Sequence, residues 1–260
     1  MGISTLPVPS GERRDINPGS SALPWPVRDV EGRDPCGESR RDEPVIESDD
    51  LRRTKLAPNN GPGAIPEGKS PTPWKPTRAE ILAAHDKLVP DLVAENLIVL
   101  FAGINPGLYT AAIGRHFGRP GNRFWPALHD GGFTPRLFSP FEESLLLDLH
   151  FGITNIVERA TARADELTDD ELRTGGRRLE AKVERWRPTV VAFVGIGPYR
   201  VVSGIKDARV GLQKAPFGGS HAWVLPNPSG LNAHYQPAAL AQLFGDLRLW
   251  AISQHRRRRN

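Results

Sequence analysis

The sequence holds a single cysteine, Cys36, set in a polar stretch. That excludes an intrachain disulfide, a four-thiolate zinc site and a cysteine-ligated iron–sulfur cluster. No run of apolar residues approaches the roughly 18 needed to span a bilayer, and the N-terminus lacks a charged-then-apolar signal pattern. The seven histidines form no HxxxH or HxH pattern, so neither a metal site nor a cofactor is expected. Neither GxGxxG nor GxxxxGK(S/T) follows the first apolar run, which counts against a nucleotide-binding α/β protein. The reading that survives is a cytoplasmic protein without a membrane partner, associated with the nucleoid if the source is bacterial.

What is present is a modest excess of positive charge. A formal net charge of +4 and a pI near 9.4 favour polyanionic partners at neutral pH. The 25 prolines and 26 glycines are unevenly spread. Residues 1–75 are rich in Pro, Gly, Ser, Arg, Asp and Glu and show no sustained apolar periodicity, so they cannot bury enough surface to offset the entropy of ordering. We therefore divide the chain into a disordered tail over 1–75, a folded domain over 76–254 and a basic C-terminal tail over 255–260. The tail's arginines, Arg256 to Arg259, fit a phosphate contact or a solvated run equally well.

Within the domain, short apolar runs at 96–103, 152–157, 189–195 and 221–226 read as strands buried on both faces. Helical patterns separate them, at 77–88, 122–129, 141–149, 169–186, from Pro198 onward, and from Pro237 to about Ser253. Thr77 with Glu80, and Thr168 with Glu171, have capping-box spacing, and Arg187-Pro188 supplies a stop. Buried strands alternating with helices predict a three-layer α/β/α sandwich around a mainly parallel sheet. Active sites in such sheets lie beyond the carboxyl ends of the strands, so the segments after each strand matter most.

After the first strand comes Gly103-Ile104-Asn105-Pro106-Gly107-Leu108, then a phenylalanine nine residues beyond the leucine, then Asn122-Arg123-Phe124-Trp125. After the last strand comes Asn227-Pro228-Ser229-Gly230-Leu231. Both turns combine proline, which fixes φ, with glycine, which lets backbone approach a ligand, so both read as rigid and preformed. This paired pattern resembles the mismatch-specific uracil-DNA glycosylases and their relatives the thymine-DNA glycosylases. The resemblance covers residues 97–249 and implies the uracil-DNA glycosylase fold.

The resemblance implies roles residue by residue. Asn105 holds the hydrolytic water and Asn155, at the second strand, helps place the water or base. Phe117 stacks on a flipped base, Ile104 and Phe117 supply backbone contacts, and Gly107 belongs to the rigid turn that meets the substrate. Tyr109, Thr110 and His116 bear on whether the methyl group of thymine fits. Leu231 fills the space vacated in the duplex, Gly230 offers backbone groups to the widowed guanine, and Asn227, Pro228, Ser229 and Asn232 complete a DNA-contacting turn. Some relatives carry a small residue at the position of Tyr109, and a small polar residue, often followed by arginine, after the leucine of the second motif. This chain continues Asn232-Ala233-His234-Tyr235.

The residue types suit the chemistry. Breaking an N-glycosidic bond leaves positive charge on the sugar and negative charge on the departing pyrimidine, so a weak nucleophile suffices if backbone N–H groups support the leaving oxygen. Asparagine is no general base near neutral pH, but its carbonyl oxygen can orient a water. The expected partner is double-stranded DNA with a G:U or G:T mispair, handled by a monomer that flips the base out. The alternatives are a glycosylase of this fold turned to hypoxanthine, xanthine or ethenocytosine, and a catalytically silent binder of mismatches or abasic sites.

Overall fold

The chain divides into two units, Met1–Pro62 and Gly63–Asn260. The computed structural model describes residues 75–230 and 234–259, all within the second. The expectation of a tail over 1–75 therefore falls almost entirely outside the described residues.

Five strands form one sheet: β1 (Val99–Gly103), β2 (Phe151–Asn155), β3 (Val190–Val194), β4 (Gly211–Leu212) and β5 (His221–Leu225). Their spatial order is β2-β1-β3-β5-β4, parallel except for the β4 edge. Strand side chains alternate between faces with a period of two, and here both faces are apolar. Val99, Phe101, Val190, Ala192, Trp223 and Leu225 enter one core with α3 (Phe124–Asp130) and α7 (Pro237–Arg259). Leu100, Ala102, Val191, Phe193, Ala222 and Val224 enter the other with α5 (Asp169–Trp186) and α6 (Ile196–Ser203). The result is the three-layer α/β/α arrangement that the continuous apolar runs predict.

The remaining helices are short: α1 (Arg78–Leu82), α2 (Leu108–Ile113) and α4 (Leu145–Asp148). Both capping boxes form, Thr77 with Glu80 and Thr168 with Glu171. Several boundaries differ from those expected. The first helix stops at Leu82 instead of running to 88; it buries no residue, and Asp86 turns to φ 61°. Residues 141–149 split into a 3-10 turn, Pro140–Glu142, and α4, because Ser139 and Glu142 close a separate capping box. The last helix continues past Ser253 to Arg259. Cations suit a helix C-terminus, and two of these residues find partners: Nδ1 of His255 lies 2.8 Å from Thr189 Oγ1, and Arg258 donates to the Pro188 carbonyl at 3.2 Å. The run expected to form a separate basic tail is thus helical through Arg259 and docked at the amino end of β3.

From β1 the chain passes to β2 on one side, then returns to β3 on the other. The strand order reverses between β1 and β3, and open α/β sheets bind ligands outside the carboxyl ends at such a point.

Candidate active site

The loops at that point extend the sheet. Beyond the ends of β1 and β2, Ile156 N–H donates to the Gly103 carbonyl at 2.8 Å and Val157 N–H to the Ile104 carbonyl at 2.9 Å. Farther on, Thr161 N–H donates to the Pro106 carbonyl and Leu108 N–H to the Thr161 carbonyl, both at 3.1 Å. The Gly103-to-Leu108 turn is therefore stitched along its length to the segment that follows β2.

Asn105 sits in this seam, half-buried. Its Nδ2 donates to the Arg159 carbonyl at 3.1 Å and to Thr161 Oγ1 at 2.7 Å. An amide nitrogen has two hydrogens, and both are now used, which fixes the orientation of the side chain and aims Oδ1 the opposite way. Thr161 is 1% exposed and passes its own hydroxyl hydrogen to the Arg163 carbonyl at 2.7 Å. Arg159 is held in turn by Glu171 at the start of α5, its Nε 2.7 Å from Oε1. The Arg159 guanidinium and the Thr168 capping bonds hold the Glu171 carboxyl down at about 2.

Asn155 ends β2 and pairs in register with Gly103 at the end of β1. It is 7% exposed. A Cβ on Gly103 would lie 2.6 Å from Asn155 Oδ1 and 3.3 Å from Phe117 Cζ. Only glycine at 103 lets these two side chains converge. No Cβ at Gly107 would meet anything within 4 Å, so the turn is open on that side.

Phe117 has φ 50°, a left-handed conformation that costs an L-residue roughly 1–2 kcal/mol. Its ring stacks on Phe124 at the start of α3, with centroids 3.8 Å apart and planes 16° from parallel. His116 next to it is 1% exposed. Its backbone N–H donates to Glu143 Oε2 at 2.8 Å, its Nδ1 lies 3.0 Å from the same oxygen, and its carbonyl accepts from Trp125 Nε1 at 3.2 Å. Arg115 reaches the other carboxylate oxygen at 3.2 Å. Burial pushes the Glu143 carboxyl up, but the hydrogen bonds and charge of His116 with the Arg115 bond more than offset it, leaving it below its ordinary value. His116 is thus turned into the protein, where it braces the backbone that presents Phe117. Tyr109, half-buried, and Thr110, buried, lie on α2, a helix absent from the helical patterns read in the sequence.

The turn after β5 lies opposite. Asn227 Oδ1 accepts from Ser229 N–H at 2.9 Å. Between this turn, the Ile104 loop and the first turn of α6 opens a cleft of about 670 Å³, lined by Ile104, Gly195, Ile196, Pro226, Asn227 and Tyr235 among others. Pro228 is buried, Ser229 half-buried and Gly230 exposed. Leu231 and Asn232 lie outside the described residues. Among the described residues no three or more His, Cys, Asp or Glu come close enough to hold a metal ion.

Of the residues singled out from sequence, Asn155 and Phe117 converge on Gly103, Asn105 sits in the seam two residues farther along the same turn, and Ile104 and Asn227 line a cleft. Thr161, Arg159 and Glu143 were not anticipated. Their signal was positional: a segment following β2 must run beside the β1 loop once the two strands are neighbours.

A parallel sheet with a switch point, and beyond its carboxyl ends an asparagine-bearing turn and the half-buried ring of Phe117, mark the candidate site. The profile of the uracil DNA glycosylase superfamily matches residues 90–248, more than half of the chain, and the chain belongs to that superfamily. It is accordingly a DNA glycosylase, a DNA-binding hydrolase of DNA repair. Among solved structures, the chain is similar to the solution NMR structure of a "putative Uracil DNA glycosylase" from Methanosarcina acetivorans. The two share 17% identity with a TM-score of 0.43, over 63% of this chain and 98% of that one.

Proposed function

We propose that the protein is a monofunctional, mismatch-directed glycosylase that hydrolyses the N-glycosidic bond of uracil opposite guanine, with thymine as a second candidate base. The observation that carries this reading is the Asn105 amide, whose two N–H bonds to Arg159 and Thr161 leave its carbonyl oxygen directed away as a fixed acceptor. Water is the ligand such an acceptor orients; as its oxygen bonds to the sugar carbon and the C–N bond breaks, its proton passes to the departing pyrimidine anion or to solvent, and the enzyme takes up none. Asn155, on the far side of Gly103, is the second amide able to hold the water or an edge of the base.

The base itself is recognised by stacking. One face of Phe117 is covered by Phe124, and a flipped pyrimidine would take the other, completing a three-ring stack. Departing negative charge on the pyrimidine would be supported by backbone N–H groups between Ile104 and Gly107, where the turn is open beside Gly107. Asn227 to Gly230 belong to the turn that would face the duplex, with Gly230 toward the unpaired guanine, and the resemblance assigns Leu231 as the apolar wedge and Asn232 as a further DNA contact. An Asn-oriented water makes turnover slow compared with a relative that has a carboxylate at this place. In this reading the protein works as a monomer and needs no cofactor.

The test is base release from duplexes carrying uracil, thymine or hypoxanthine opposite each normal base. The expected order is uracil opposite guanine first. Asn105→Ala should abolish release while leaving affinity for abasic DNA largely intact. Retention of more than about a tenth of wild-type turnover would remove Asn105 from the role, and a preference for hypoxanthine would redirect the reading to another lesion.

A further inference from the structure

The loop between Phe117 and α3 grips the turn after β5 at four places. The Arg123 backbone N–H donates to the Pro228 carbonyl at 3.0 Å. Its guanidinium donates through Nη2 to the Ser229 carbonyl at 2.7 Å and through Nη1 to the Tyr235 carbonyl at 2.6 Å. Gly230 lies so close to the Gly121 carbonyl that a Cβ would come within 2.6 Å of that oxygen. One planar side chain therefore ties down the backbone on both sides of residues 231–233.

Arg123 is also the residue before α3, whose first residue, Phe124, carries the ring stacked on Phe117. A continuous path runs from the Phe117 ring through Phe124 and Arg123 to Ser229 and Tyr235. We propose that Arg123 is a positioning residue: it sets the spacing between the stacking ring and the turn that enters the duplex, so that extrusion of the base and filling of the gap proceed in one register. Its fork points at protein carbonyls, which distinguishes it from a phosphate contact. A lysine keeps the charge but cannot bond two carbonyls in a fixed plane. The inference rests on the glycosylase reading above and assigns it a specificity element for duplex DNA.

The experiment uses the full chain with Arg123→Lys and Arg123→Gln. Single-turnover release of uracil is measured from a guanine-opposed duplex and from the same strand alone, with the salt dependence of duplex affinity and the hydrogen exchange of the residues flanking 231–233. Both variants should lose about tenfold on the duplex and less than about twofold on the single strand, which needs no filling of a gap. The slope of log affinity against log salt should stay at its wild-type value. Exchange at 227–230 and 234–236 should accelerate while β5 stays protected. A lysine variant with wild-type duplex activity, together with a glutamine variant whose salt slope falls by about 0.9, would identify a phosphate contact and overturn the proposal. Equal losses on both substrates would overturn it too, by showing general support of the fold. If the wild type released no uracil from either substrate, the base assignment would fail, and unchanged or accelerated exchange would still decide against or for the clamp.

Discussion

In the proposed mechanism the chemistry depends on the direction of the Asn105 amide, and Thr161 and the Arg159 carbonyl set that direction. Asparagine side chains otherwise exchange oxygen and nitrogen positions by a simple rotation, so a partner that only accepts hydrogen bonds selects one orientation. The Arg159 carbonyl is such a partner, and Thr161 Oγ1 acts as one because its own hydrogen is engaged by Arg163. Thr161→Val removes that acceptor with little change in volume. It should lower the rate of base release about tenfold, equivalent to roughly 1.4 kcal/mol, with KM nearly unchanged. Single-turnover assays check this. An unchanged rate would mean that the Arg159 carbonyl alone suffices to orient Asn105.

At the scale of elements, the strands and the long helix were legible because their signals are local. Four buried apolar runs became β1, β2, β3 and β5, and α5 starts and stops where Thr168, Glu171 and Arg187 place its caps. The two-residue strand β4 is too short to carry a pattern, and α2 is punctuated by Gly107 and Gly114 in a stretch dominated by turn residues. Asn105, Asn155 and Phe117 were singled out through the resemblance of their motifs, and the structure adds that Asn155 and Phe117 converge on Gly103. Glu143 was not, since nothing in its neighbourhood marks a glutamate that will be buried 27 positions away from its partner. That glutamate provides a test at this scale. Its carboxyl is more acidic in the folded chain than its ordinary 4.5, so its stabilisation is complete above that value and is lost as pH falls through the depressed native one. Glu143→Ala leaves the buried His116 N–H without its acceptor and should cost about 1–3 kcal/mol at neutral pH. Thermal melts from pH 7 to 3 should show the gap between wild type and variant narrowing below about 4.5. A gap that widened on acidification would contradict the assignment.

Across the described part of the molecule, the candidate site and the arginine run lie at opposite ends of the strands. The asparagine-bearing turns lie at the carboxyl ends, and the arginine run of α7 docks through His255 and Arg258 at Thr189 and Pro188, at the amino end of β3. A strand of five residues spans roughly 16 Å, beyond the Debye length of about 8 Å at physiological salt. Replacing exposed Arg256 and Arg257 by alanine should therefore leave kcat/KM on short oligonucleotides within about twofold of wild type, and the salt slope unchanged. A slope reduced by about 1.8 would show both arginines on the same DNA as the site. The seam that joins the Asn105 turn to the segment after β2 has a further bearing on how the protein meets heat. Active-site loops in many proteins are among the first segments to open on warming, well before the fold gives way. Here the turn is the continuation of a central parallel ladder, through Ile156, Val157 and Thr161. It has no separate melting to undergo, so residual activity plotted against temperature should trace the global unfolding curve, and activity lost about 10 °C ahead of unfolding would show the turn to be an independent unit. Preorganisation of this kind makes the working temperature of the enzyme a property of its sheet.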